Sequence, residues 1–266
     1  MADYSLRRND TLNEFDELLA YSPSADLLQD RVILITGAAG ALGAAAAVAC
    51  AEHGAKLVLL DKNEHGLESL HDGIAETAAH APVIAVQDLR HATPDCFDTL
   101  AKEIDQEWAR LDGIVHCAAQ LGVLSPLDAS QFELWPEVLQ VNLLAPYLLT
   151  RSCLPLLRRA TDASVIFTSS DVARSGRAYW GAYGVSGAAL ENLVAIWNDE
   201  LETNTQIRFN SFDPGPVNSP LRDNAYPGEH RRYRRDAAEL APAYLYLLGP
   251  ESRALRGLQL SAPQRL

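Results

Sequence analysis

The chain has 266 residues, 48% of them hydrophobic, enough apolar surface for one large core. That excludes a disulfide-stapled mini-protein and a disordered chain. Acidic residues outnumber basic ones 35 to 22, for a net charge of −13, and such a surface repels phosphate backbones and anionic lipid. Neither nucleic acid nor a membrane is therefore expected as a partner.

Only Lys56, Lys62 and Lys102 are lysines, so chemistry that needs an ammonium has three candidates. Cys50, Cys96, Cys117 and Cys153 form no C-x-x-C pair, and the histidines lack metal-ligand spacing. A reduced, cytoplasmic protein with no metal site is expected. The N-terminus has no apolar signal-peptide core, and no apolar stretch reaches spanning length.

Residues 1–27 read as a polar N-terminal extension with one short helix at Thr11–Leu19, and 28–266 as a single domain. Arg31–Thr36 is a short β-branched run, the mark of a strand buried on both faces. A helix over Ala41–His53, a strand at Lys56–Leu60, a helix over Glu64–Ala79 and a strand at Val83–Val86 follow. Phe97, Leu100, Ile104 and Trp108 recur at helical spacing, which predicts a helix over Asp95–Ala109. Gly113–His116 is a fourth strand, followed by two helices at Gln131–Asn142 and Pro146–Arg159. Then come strand Ser164–Thr168, a long helix over Tyr183–Glu202, strand Ile207–Phe212 and a short seventh strand at Gly257–Leu260. This alternation predicts a Rossmann-type α/β fold: a doubly wound parallel sheet of about seven strands in one domain.

Three segments fall where such a fold places its ligand crevice. Gly37–Gly43 sits where the first strand turns into a helix, so glycine permits a tight turn and exposed N–H groups face a pyrophosphate. Asp61 ends the second strand; its carboxylate can accept from an adenosine ribose and repel a 2′-phosphate, or simply cap the next helix. This points to a dinucleotide, with NAD preferred over NADP, although Lys62 beside it could meet a 2′-phosphate. Ser169-Ser170-Asp171 follows the fifth strand, with Tyr183 thirteen residues after Ser170. A serine and a tyrosine converging there would polarise and protonate a carbonyl; the bland alternative is a cap and a core tyrosine. Asp213-Pro214-Gly215-Pro216-Val217 follows the sixth strand, as a nicotinamide-side loop or a plain turn. Arg231–Arg235 holds four arginines, which read better as a solvated helix start than as a grip on an anionic substrate.

Together these motifs resemble the short-chain dehydrogenase/reductase family over 28–262. Arg110–Gly113, Trp180–Tyr183 and the N-terminal extension are most similar to a bacterial branch with no assigned substrate. The resemblance implies cofactor contacts at Gly37, Ala39, Gly40, Leu42 and Gly43, with Ala41 where a loop glycine is usual. It implies further contacts at Asp61, Asp88, Leu89, Pro214, Gly215 and Val217. It makes Ser170 and Tyr183 the catalytic pair and Asn142 the holder of a water relay, acting on a small carbonyl or alcohol substrate. It also implies a homodimer or homotetramer through the helices read at 131–159 and 183–202. Two departures stand out. The family's Asn-Ala-Gly motif falls on Cys117-Ala118-Ala119, and its catalytic lysine, four residues after the tyrosine, falls on Gly187. In the family that lysine binds the nicotinamide ribose and lowers the tyrosine pKa. The alternative to an oxidoreductase is therefore a catalytically silent, cofactor-binding relative.

Overall fold

A computed structural model describes residues 18–262. Seven parallel strands form one sheet in the order β3-β2-β1-β4-β5-β6-β7. They are β1 Val32–Thr36, β2 Lys56–Asp61, β3 Val83–Val86, β4 Gly113–His116, β5 Ala163–Thr168, β6 Ile207–Asp213 and β7 Gln259–Ser261. The connecting helices are α1 Ala41–Glu52, α2 Glu64–Ala75, α3 Pro94–Trp108, α4 Leu134–Leu139, α5 Ala145–Leu157, α6 Val172–Ser175, α7 Gly181–Leu201, α8 Pro220–Ala225 and α9 Ala241–Leu248.

β-Pleating divides each central strand between two cores. Ile33, Ile35, Leu57, Leu59 and Phe212 face α1 and α9, whereas Val32, Leu34, Val58, Val165 and Phe209 face α3, α5 and α7. The chain winds outward from β1 in one direction and from β4 in the other. The crevice between their carboxyl ends is the switch point at which such sheets bind ligands. Thr36 ends β1 level with Leu60 on one side and His116 on the other, so three loops open from the same edge.

Several expectations change. The helices read at Gln131–Asn142 and Pro146–Arg159 are one bent element, because a π turn, Gln140–Leu144, joins α4 to α5. Pro146 lies just after the π turn, where the helical hydrogen-bond ladder already changes register, so it does not separate the two. Helix α9 carries no signal in the sequence: Ala-Pro-Ala-Tyr-Leu-Tyr-Leu-Leu has no amphipathic period, because most of it is buried against the sheet. The expected strand at Val83–Val86 forms as β3, an edge strand with Val83, Ile84 and Val86 exposed. The Thr11–Leu19 helix lies outside the described residues except for Leu18 and Leu19, which are helical, and Leu18 packs into the α1 core.

At the opposite edge of the sheet, Arg208 on β6 is fully buried. It pairs with Asp162 and donates to the Leu247 and Gly249 carbonyls at 3.3 and 3.1 Å. Arg31 and Arg253 also reach Asp162, at 3.5 and 3.3 Å. Removing the carboxylate leaves three guanidiniums around one uncompensated site. Asp162→Ala is expected to cost about 3–5 kcal/mol in a urea titration; a loss below about 1 kcal/mol would show that the carbonyls alone satisfy Arg208.

Candidate active site

The loops after β1, β2, β4, β5 and β6 enclose a cavity of about 1040 Å³. At one end lies the glycine loop. Gly37 has φ +66°, and a Cβ there would stand 2.6 Å from the Ala118 backbone nitrogen. At Gly43 a Cβ would stand 2.2 Å from the Gly37 carbonyl oxygen. Only bare Cα atoms let β1, α1 and the loop after β4 close to this distance. Helix α1 begins without a side-chain cap and without an acidic residue in its first turn. Its leading N–H groups therefore face the cavity unpaired by protein side chains, and an anion is the group that would satisfy them. This cradle fits a dinucleotide pyrophosphate.

Asp61 stands at the end of β2 on the cavity wall, with Oδ2 accepting from the Ala39 N–H at 3.1 Å and Oδ1 from the Asn63 N–H at 3.0 Å. It is not the cap of α2, since Asn63 accepts from Gly66 there. Asp88 also lines the wall, but Arg90 grips it through bonds of 2.6 to 3.2 Å and holds its carboxyl down at about 2. Of the residues expected at the cofactor, Gly37, Gly40, Leu42, Gly43, Asp61, Asp88, Leu89, Pro214, Gly215 and Val217 line the cavity; Ala39 does not, and contributes through its bond to Asp61.

Ser170 and Tyr183 meet at the other end. Ser169 is held by its N–H to the Phe212 carbonyl (2.8 Å) and by its hydroxyl to the buried Glu191 (2.6 Å), which fixes the strand end that carries Ser170. Tyr183 stands in the first turn of α7, and both it and Ser170 line this end of the cavity, with the Ser170 hydroxyl close enough to act on the phenol. Burial raises the Tyr183 pKa above the usual tyrosine value; the Ser170 hydroxyl opposes this, Asp213 and Asp171 add to it, and Arg222 counters them. The phenol is a proton donor at neutral pH.

Asn142 does not line the cavity. Its Oδ1 accepts from the Gln120 N–H at 2.8 Å, and its Nδ2 donates to the Gln120 carbonyl and to the Ser186 hydroxyl, both at 3.0 Å. Ser186 in turn donates to the Tyr183 carbonyl at 2.8 Å. Asn142 thus sets the position of the tyrosine from behind, with its amide fully engaged.

Gly187 lies one turn beyond Tyr183 against α6, and a Cβ there would meet the Ala173 Cβ at 3.0 Å. The neighbouring Arg174 is a cation that the expected constellation lacked. It reaches Glu191 at 3.2 Å, Asp213 at 3.4 Å and the Ser261 hydroxyl at 2.9 Å. Residue spacing gives Glu191 and Asp213 no role, although a charged residue at position 191 on the apolar face of α7, beside Leu190 and Val194, is a visible signal. Cys117, in the first position of the altered motif, is a half-buried thiol near Thr168 and Tyr244, and burial raises it to about 11.

The segment 218–235 folds as a cap over this end. Arg231–Arg235 is not a solvated helix start: Arg231–Tyr233 is one 3-10 turn, and Arg234 and Arg235 are buried. Arg234 ties Asp223, Glu229 (2.8 Å) and the Tyr226 carbonyl (3.2 Å) together, so it builds the cap and does not face a substrate. Among the described residues no group of three or more His, Cys, Asp or Glu side chains gathers as a metal site, and no helix is long and apolar enough to cross a membrane.

Residues 31–230 match the family described as short chain dehydrogenase. The chain is 37% identical over 242 residues to the uncharacterized oxidoreductase YciK of Escherichia coli K12, covering 91% of this chain and 95% of that protein. A short chain dehydrogenase structure from Pseudomonas syringae superposes with a TM-score of 0.89 at 44% identity, over 91% of this chain and 98% of the other. One from Shigella flexneri 2a complexed with NADP gives 0.87 at 36%, over 90% and 99%. The chain belongs to the short-chain dehydrogenase family. Within that family its relatives include YciK and YciK-like structures.

Desolvation raises the Asp213 carboxyl from 3.8 to about 6, against a backbone bond from Gly215 and the Arg174 charge. A carboxyl that holds its proton more tightly when folded contributes its full stability below about pH 4 and loses it as pH rises through about 6. Asp213→Asn is expected to flatten melting temperature against pH in this window. Parallel wild-type and variant curves would show that Asp213 titrates normally.

Proposed function

We propose that this chain is a nicotinamide-dependent oxidoreductase that reduces a small carbonyl compound. The observation that supports this reading best is the Ser170 and Tyr183 pair at the end of a cavity whose other end is a glycine cradle at an uncapped helix start. When bound, the nicotinamide supplies a hydride to the carbonyl carbon. Ser170 orients the carbonyl oxygen, Tyr183 delivers the proton to it, and Asn142, through Ser186, holds Tyr183 in place. A phenol kept protonated suits reduction; alcohol oxidation would need tyrosinate, which burial and two carboxylates disfavour here.

Pro214, Gly215 and Val217 would hold the nicotinamide side, Gly37–Gly43 the pyrophosphate, and Asp88 and Leu89 the adenine. We assign a preference for NAD to Asp61, whose carboxylate on the cavity wall would repel a 2′-phosphate; the Shigella structure, by contrast, is complexed with NADP. Exposed Leu144, Val185 and Ile196 on the π turn and α7 favour a homodimer or homotetramer through these helices. Free cysteines favour the cytoplasm. Residues 28–266 would act as one domain.

The test is a fluorescence titration with NADH and NADPH, followed by turnover of a carbonyl panel. NADH is expected to bind about tenfold or more tightly than NADPH, an electrostatic difference of the size one misplaced charge makes. Tyr183→Phe is expected to lower kcat by about 10²–10⁴ while cofactor affinity stays put. Binding of neither cofactor sinks the reading.

Gly187 and Cys117 favour the second reading, a silent or slow relative. A lysine at 187 would offer the missing cation, but its Cβ would press on Ala173. Gly187→Lys combined with Ala173→Gly is expected to raise kcat about tenfold or more over wild type, and the single Gly187→Lys variant less. Wild-type turnover equal to the double variant would show that Gly187 imposes no impairment.

A further inference from the structure

The substrate end of the cavity carries more chemistry than the Ser170–Tyr183 pair uses. Four side chains stack outward from the reacting hydroxyls. The Trp180 indole lies edge-on to the Tyr183 ring at 5.6 Å, and the Tyr226 ring follows at 5.6 Å from Trp180 with an interplanar angle of 37°. The Arg222 guanidinium then lies over the Tyr226 ring, 3.8 Å from its centroid. Arg177 holds the Tyr226 hydroxyl from the loop before α7, so the ladder bridges the catalytic loop and the cap. All four members line the cavity.

The three arginines along the same wall each meet a carboxylate. Arg174 faces Asp213, Arg177 faces Asp171 at 2.8 Å, and Arg222 faces Glu229 through bonds of 2.7 and 2.5 Å. A carboxylate-bearing substrate would have to break up a pair and leave a displaced acid beside it. A flexible alkyl chain finds little to lie on either, because the aliphatic side chains here are short and scattered, Val172, Leu221 and Ala225 among them. Aromatic rings, Trp180 and the half-buried Tyr226, are what this wall offers, and they favour another π system.

We propose that the catalytic end of this cavity selects an uncharged aryl ketone or conjugated cyclic ketone, held with its ring along Trp180 and Tyr226 and its oxygen at Ser170 and Tyr183. The proposal rests on the reductase reading for the oxygen's position, but the ring preference is a property of the wall. Trp180 and Tyr226 are specificity residues; the proton still comes from Tyr183.

Ligand-observed NMR titrations on the full chain, with and without saturating NADH, test it. Three probes share one methyl ketone: acetophenone, its para-carboxylate and methyl hexyl ketone. Acetophenone is expected to bind about tenfold more tightly than either of the others, as one added aromatic contact permits. Tyr226→Leu and Trp180→Leu are each expected to bring the aryl-to-alkyl ratio close to one. Tyr226 is only half-buried on the cap, so its variant decides the matter if Trp180→Leu lowers the melting temperature too far to fold. Equal or tighter binding of the alkyl ketone or the carboxylate overturns the proposal, as does an aryl preference that survives in the folded variants. If NADH fails to bind while the aryl preference persists, the reductase reading falls and the ring site stands. If NADH binds and the preference is absent, the reverse holds.

Discussion

The active end of this molecule depends on one buried amide. Asn142 satisfies its acceptor and both donor directions with Gln120 and Ser186, and so locks the loop after β4, the π turn and the first turns of α7 into one unit. The π turn makes this possible. Its wider register aims Gln140 at the Leu89 and Ala92 carbonyls and Asn142 at Gln120, so a single stretch of helix braces two cavity loops. Losing any of these partners would leave a buried polar group unsatisfied, and that cost holds the geometry firmly. Tyr183 inherits its position through Ser186.

The second organising feature is charge kept in pairs close to a reacting phenol. Arg174, Glu191 and Asp213 join α6, α7 and the end of β6, with Ser169 and Ser261 completing the shell. Burial moves the phenol's pKa upward, and Asp213 and Asp171 add to the rise while Arg222 opposes it. An environment of this sign suits giving a proton more than taking one. Gly187 belongs to the same arrangement. Its bare Cα lets Ala173 approach and seats α6, with Arg174 on it, against α7.

Much of this is legible in the linear pattern. Short β-branched runs locate the strands, because a strand covered on both faces excludes polar residues. The glycine loop, Asp61, Ser170, Tyr183 and Pro214-Gly215 all follow strand ends, and the sheet's parallel order gathers those ends on one edge. Arg234 shows where the pattern misleads. Four arginines in five residues look solvated, yet Arg234 and Arg235 turn inward, and Arg234 does so onto Asp223 and Glu229, 11 and 5 residues away on the cap. A charge run states composition; it does not state which members the tertiary fold turns inward onto a carboxylate. Helix α9 hides for the opposite reason, since a helix buried nearly all round has no period to detect.

The sequence by itself determined the alternation of elements, the sheet class, the family and the missing lysine, since these are set by residue type and spacing along the chain. Only the tertiary structure decided that Asn142 braces and does not line the cavity. The same is true of the packing of Gly187 on Ala173, the seating of Arg174 between two acids and the ring ladder from Tyr183 to Arg222. Each of those facts joins residues from separate elements, and their meeting depends on distances of a few ångströms that no local pattern encodes.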